Sequence, residues 1–172
     1  MKKKLLWLFL SLLAALFAYL TVGLVLVIGG FEIALPNDRL LVSAAAHDDL
    51  PGFKRIAAKG VSIDVQEKGF LGETPLIASI ASPGTNVFYY LLASGAKIDA
   101  RGRGGITPLM KSTGCGDLKF ETTKALVQAG ADVNLKDDHG ISVLSYAEQA
   151  GVGNHVPTIS NTISFLKEHG AK

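Results

Sequence analysis

Thr74-Pro75-Leu76, Thr107-Pro108-Leu109 and Ser142-Val143-Leu144 recur 33 and 35 residues apart. A second string runs between them: Gly60-Val61-Ser62-Ile63-Asp64, Gly95-Ala96-Lys97-Ile98-Asp99 and Gly130-Ala131-Asp132-Val133-Asn134, with Gly170-Ala171 at the end. Two interlocked signals at a period near 33 identify a repeat architecture, in which each unit buries its apolar face only against its neighbours.

The letters carry their own local physics. Thr74 and Thr107 are positioned to cap a helix with their hydroxyls. Pro75 and Pro108 suit the first helical position, where no amide donor is needed. Gly60, Gly95, Gly130 and Gly170 each follow a second helix, where a left-handed residue ends it.

These residues resemble the ankyrin repeat, and the resemblance covers about residues 38–172. It implies an all-α repeat solenoid of about four units, each a helix, a loop, a second helix and a protruding turn. The units are 38–68, 69–100, 101–135 and 136–172. The first lacks Thr-Pro-Leu, and the fourth carries Val143 for the usual Pro, as terminal units do. The third has extra residues around Gly114–Asp117, and the fourth has them in Gly151–Pro157. The His that usually follows Thr-Pro-Leu is replaced by Ile77, Met110 and Ser145.

The first thirty residues are a different material. Lys2, Lys3 and Lys4 precede Leu5–Gly30, which holds no charged residue. As a helix this run would reach ~39 Å, enough to cross a ~30 Å hydrocarbon core. It exceeds the ~7–15-residue apolar part of a signal peptide, and no small-x-small cleavage site follows it. Residues 1–30 are therefore expected to be an N-terminal transmembrane signal anchor, and 31–37 a linker. The lysines before the span place the N-terminus in the cytoplasm and the repeats outside, in the periplasm of a Gram-negative inner membrane.

The net charge is +2, and the three N-terminal lysines supply more than all of it. The near-neutral remainder makes nucleic acid a poor partner. One cysteine, Cys115, excludes an internal disulfide.

Chemistry is sparse. His47, His139, His155 and His169 are scattered, without metal-ligand spacing. Cys115 and His139 could form a thiol pair, but no orienting acid accompanies them. Gly102-Arg103-Gly104-Gly105 follows no strand and ends in no lysine–hydroxyl pair, so its glycines serve a turn rather than a phosphate. The expectation is no enzyme, no cofactor, no metal and no small-molecule substrate.

What remains is surface. By the resemblance, ligands engage the protruding turns and the first helices. The turn Gln66–Glu73 is two residues longer than its siblings and carries Phe70 and Leu71, either an apolar anchor for a partner or a pair that packs back on the first unit. Arg101 and Arg103 make the next turn basic, and Lys111 stands beside it on a first helix. Lys136, Asp138 and His139 mark the third. The Arg101, Arg103 and Lys111 group suits an acidic protein partner. The expected role is capture of an envelope protein, as an immunity protein or inhibitor. The alternative is a supporting scaffold for an envelope stress-defence or assembly system.

Overall fold

The computed structural model describes residues 27–28, 31–32, 35–68, 72–114, 119–151 and 157–172. The chain divides into two units, Met1–Pro36 and Asn37–Lys172. In the first, β1 (Val27–Ile28) pairs antiparallel with β2 (Phe31–Glu32), Val27 opposite Glu32 and Ile28 opposite Phe31. Gly29 and Gly30 stand between the two strands in the sequence. Helix was expected to run on to Gly30; β-branched Val27 and Ile28 are in a strand instead. The rest of the expected membrane span lies outside the described residues. Among the described residues no helix is long and apolar enough to cross a membrane.

The second unit is a row of helix pairs. These are α1 (Asn37–Ala46) with α2 (Leu50–Ala57), and α3 (Pro75–Ala81) with α4 (Asn86–Ala93). There follow α5 (Pro108–Gly114) with α6 (Phe120–Gln128), and α7 (Val143–Gly151) with α8 (Pro157–Glu168). A 3-10 turn, Arg103–Gly105, precedes α5. The first helices α1, α3, α5 and α7 pack side by side in that order, with α2 against α4 and α6 against α8 behind them.

The recurring strings now have atomic roles. Thr74 Oγ1 accepts the Ile77 amide at 3.4 Å, Thr107 Oγ1 that of Met110 at 3.3 Å, and Ser142 Oγ that of Ser145 at 3.3 Å. Gly60, Gly95, Gly130 and Gly170 adopt φ of 86°, 74°, 93° and 89°. A side chain there would be strained, so each helix pair ends at a glycine. Leu76, Leu109 and Leu144 are buried at equivalent places, within a core that includes Leu41, Phe53, Phe88, Leu91, Leu126 and Leu166. Ser79 and Ser112 occupy tightly packed positions on α3 and α5. Each turns its hydroxyl back to its own helix, onto the carbonyls of Leu76 and Leu109 at 2.8 Å.

Candidate functional site

The turns between units are small hairpins, each closed by a backbone hydrogen bond. Gly102 N donates to Ile106 O at 2.8 Å and Asp137 N to Ile141 O at 3.0 Å, each enclosing three residues. Glu67 N donates to Glu73 O at 3.0 Å and encloses 68–72, which accounts for the longer first turn. Phe70 and Leu71, proposed as its anchor, lie outside the described residues, as do Cys115 and His155.

Neighbouring turns are tied together without the usual histidine. Gln66 Nε2 donates to Gly72 O at 3.0 Å and reaches Arg101 O at 3.3 Å. Arg101 Nη2 donates to Lys136 O at 2.9 Å and Asp138 Oδ1 at 3.1 Å, while Asp138 N donates to Gly104 O at 2.9 Å. Gly105 sits under this bracket at φ 75°, where a Cβ would run into the Asp138 carboxylate and the Arg101 guanidinium. Two residues expected to greet a partner therefore also brace one turn against the next. Their side chains remain solvent-facing.

A second set of rungs runs along the base of the turns. Asp64 Oδ1 accepts Lys97 N at 2.8 Å, Asp99 Oδ1 accepts Asp132 N at 3.1 Å, and Asn134 Oδ1 accepts Lys172 N at 3.1 Å. The acidic or amide residue ending each Gly-Ala-type string is thus an inter-unit bridge. Burial raises the Asp99 pKa and the Asp132 carboxylate adds to this, against the hydrogen bond from Asp132 N.

In the last turn, Asp137 is buried and accepts from His139 N at 2.9 Å, Ile141 N at 2.8 Å and the Tyr146 hydroxyl at 2.8 Å. Burial alone would raise its pKa; these bonds, with His139 nearby, more than offset that and hold it below the ordinary carboxylate value. Burial and the bond to Asp137 push Tyr146 up to about 12.

Between the second and third turns, with Glu73 at the foot of the first, lies a groove of about 400 Å³, lined by Glu73, Ile77, Gly102, Arg103, Gly104, Ile106, Lys111 and His139. Lys111 Nζ, from α5, donates to Glu73 Oε1 at the foot of the preceding turn at 3.0 Å. Gly102 allows this floor to be close-packed: a Cβ there would fall 2.9 Å from Ile77 Cδ1. The groove gathers three of the residues singled out from sequence, Arg103, Lys111 and His139. Lys136 and Asp138 are exposed on the third turn and do not line it. Glu73, Ile77 and Ile106 were not singled out. Glu73 and Lys111 are 38 residues apart, and only stacking brings them together.

The other end of the helices has its own bridge. Asp48, at φ 56°, accepts Val87 N at 2.8 Å and Asn86 Nδ2 at 2.7 Å, capping α4 of the next unit. Thr85, at the N-cap position itself, makes no side-chain cap bond. Burial works against the Asp48 carboxylate, but the bonds from Val87 and Asn86, helped by Lys119, hold its pKa below the ordinary value.

The remaining described histidines serve helix ends. His47 Nδ1 meets Ser43 O, and His169 Nδ1 meets Phe165 O, both at 2.8 Å. Among the described residues no group of three His, Cys, Asp or Glu side chains is placed to hold a metal ion.

Comparison with known proteins agrees with this geometry. A family model described as ankyrin repeats (3 copies) matches residues 41–137. The chain belongs to the ankyrin-repeat family. The fourth ankyrin unit, with α7 and α8, continues the stack beyond the matched segment. The chain is 33% identical over 126 residues to human neurogenic locus notch homolog protein 2, covering 72% of this chain and 5% of that one. It is 34% identical over 113 residues to Xenopus laevis neurogenic locus notch homolog protein 1, covering 64% and 4%. The chain thus spans about a twentieth of the length of the curated relatives it matches. Ankyrin stacks are protein-interaction modules, and no catalytic family is indicated.

Proposed function

We propose that this chain is a membrane-anchored, non-enzymatic protein-binding module. Residues 5–30 hold it in a bacterial inner membrane with the N-terminus in the cytoplasm, and its ankyrin domain captures an envelope protein in the periplasm. In the favoured version the capture neutralises a toxic or hydrolytic partner, as an immunity protein or inhibitor does. Anchoring confines the binding face to the membrane surface, where the effective concentration of a local partner is high.

The observation that carries the binding reading is the groove between the second and third turns. It brings Arg103, Lys111 and His139 around a floor containing Ile77 and Ile106. An apolar floor with a few charged groups at its rim is the usual form of a recognition site. The membrane placement rests on the uncharged run after three lysines.

The test is affinity capture from envelope fractions with the tagged full chain, beside a variant carrying Arg103→Ala and His139→Ala. The parent should retain a specific envelope protein that the variant loses. A toxin or hydrolase in the capture supports inhibition, and resident defence or assembly components support the scaffold role instead. Equal capture by the variant would place the binding edge elsewhere. A C-terminal alkaline phosphatase fusion checks the topology: it should be active, and an inactive fusion overturns the periplasmic assignment.

A further inference from the structure

Resting on the membrane-anchored reading, we propose that the outward side of α2 and α4 docks on an anionic phospholipid surface and so orients the repeats above the bilayer.

Charge is shared unevenly along the repeats. The four second helices with their closing residues, 50–60, 86–95, 119–130 and 157–170, hold six Lys and Arg against two Asp and Glu. The rest of residues 37–172 hold eight against twelve. The excess is concentrated at α2, which carries Lys54 and Arg55, with Lys59 just beyond it, and no acid. Helix α4 beside it carries no charge at all.

These cations share one side. At about 100° per residue, Lys54, Arg55, Ala58 and Lys59 fall within an arc of about 140°, and all four are exposed. Phe53 and Ile56, on the opposite side, are buried. Lys54 and Tyr89 each stand six residues before the glycine that closes their helix pair, so they are equivalent positions on α2 and α4. Tyr89 thus lies on the same outward side and is 49% exposed. Lys54 Nζ lies 4.8 Å from the centre of the Tyr90 ring, which meets Phe53 edge-on, so the two helices present one joined surface. A cation over a ring keeps its charge. Among the described residues neither Arg55 nor Lys59 is in an ion pair. The flanking carboxylates are committed elsewhere: Asp49 accepts the Gly52 amide, Asp48 that of Val87 and Asp64 that of Lys97. Lys124, at the equivalent place on α6, is matched by Glu121 at 2.7 Å, so the basic side belongs to the first two units.

The occupant follows from this chemistry. Long cations around an exposed tyrosine suit mobile anionic headgroups, which need no matching pocket. The tyrosine ring, apolar in body and polar at its tip, settles at headgroup level. In the anchored reading residues 31–36 join this first unit to the span, so α2 belongs to the unit tethered nearest the lipid. Helices α2 and α4 pack behind α1 and α3, so a domain resting on them keeps its first helices free for a protein partner.

The test places an indole on this side by Tyr89→Trp, with Trp7→Phe removing the chain's own tryptophan. The full chain is reconstituted in brominated phosphatidylcholine vesicles with and without phosphatidylglycerol, and bromine quenching of the indole is read. Quenching should be strong with phosphatidylglycerol, weak without it, and relieved by high salt through screening. Each cation near an anionic bilayer is worth about fivefold, so Arg55→Gln with Lys59→Gln should lower the docked-to-free ratio about thirtyfold. Circular dichroism should show the variants folded. The proposal is overturned if phosphatidylglycerol vesicles leave the indole unquenched, if neutral vesicles quench it equally, or if the double Gln variant quenches like its parent. Displacement by polyglutamate or a single-stranded oligonucleotide at the lipid's charge concentration also overturns it, since the side would then serve a soluble polyanion. Retention of the chain through an alkaline wash reports the anchor separately. A retained chain with an unquenched indole ends the docking proposal alone, and a chain lost in the wash ends the anchor alone.

Discussion

Asp48 offers a test of how one unit stabilises the next. Its side chain caps α4 across 39 residues of sequence, with Oδ1 on Val87 N at 2.8 Å, and its own backbone sits at φ 56°. Replacement by Ala does two separable things. It removes the cap, worth ~0.5–2 kcal/mol. It also places a residue with no local hydrogen bonding in the left-handed region, adding about 1 kcal/mol. The total is about 1.5–3 kcal/mol. Asp48→Gly removes the cap but relieves the backbone, so the loss should be close to the cap alone, about 1 kcal/mol. Asp48→Asn keeps an acceptor and tolerates the conformation, so it should cost about 0.5 kcal/mol.

The assay is urea unfolding of the full chain in nonionic detergent, followed by circular dichroism at 222 nm. The depressed pKa of Asp48 sets the pH signature. Stability that depends on its charge is present above the unfolded-state value of about 3.9 and is lost as pH falls through the lower folded value. The gap between wild type and Asp48→Asn should therefore be open at pH 7 and shrink below pH 4. Equal stability of the Ala and Asn variants at pH 7 would refute the cap, and a gap unchanged at pH 3 would refute the role of the charge.

Two further outcomes test the core and the last turn. Leu109→Ala, at a site only 1% exposed, should cost ~2–5 kcal/mol, whereas Arg103→Ala on the turn should stay within ~0.5 kcal/mol. Equal losses in urea unfolding would contradict the assignment of core and turn. Tyr146 is raised to about 12, so the folded state keeps a proton that the unfolded chain releases near pH 10. Stability should then fall as pH rises from about 10 to 12. Tyr146→Phe should flatten that part of the profile in a pH titration of unfolding, and an unchanged slope would show the proton to be elsewhere.

The stack was legible in the sequence because its causes are local. A threonine hydroxyl capping three residues ahead, a proline at the first helical position and a glycine at positive φ act within one turn of chain. On α4, Tyr89 is 49% exposed while Phe88 beside it is buried. The groove was legible in part. Arg103 and His139 stand out as polar residues on turns and Lys111 as a cation on a first helix, but Glu73 gains its role only when α5 stacks behind the preceding turn. The Asp48 cap was hidden for the same reason, since its recipient is two helices away. The rungs lay between these cases. Asp64, Asp99 and Asn134 recur every 35 residues, which signals a function, but their acceptor role needs the neighbouring unit in place.

Those rungs bear on how the molecule can change over generations. Each joins a side chain in one unit to a main-chain N–H in the next, at Lys97, Asp132 and Lys172. Every residue but proline supplies that N–H. Heritable variation at the N–H positions is therefore nearly unconstrained by the rung, while the accepting unit keeps its Asp or Asn. The last rung spans 38 residues and the first two span 33, so the link also survives a longer chain between its ends. Insertions between paired helices can accumulate without shifting the units against one another, and new binding surfaces can be tried on a frame whose alignment is set separately.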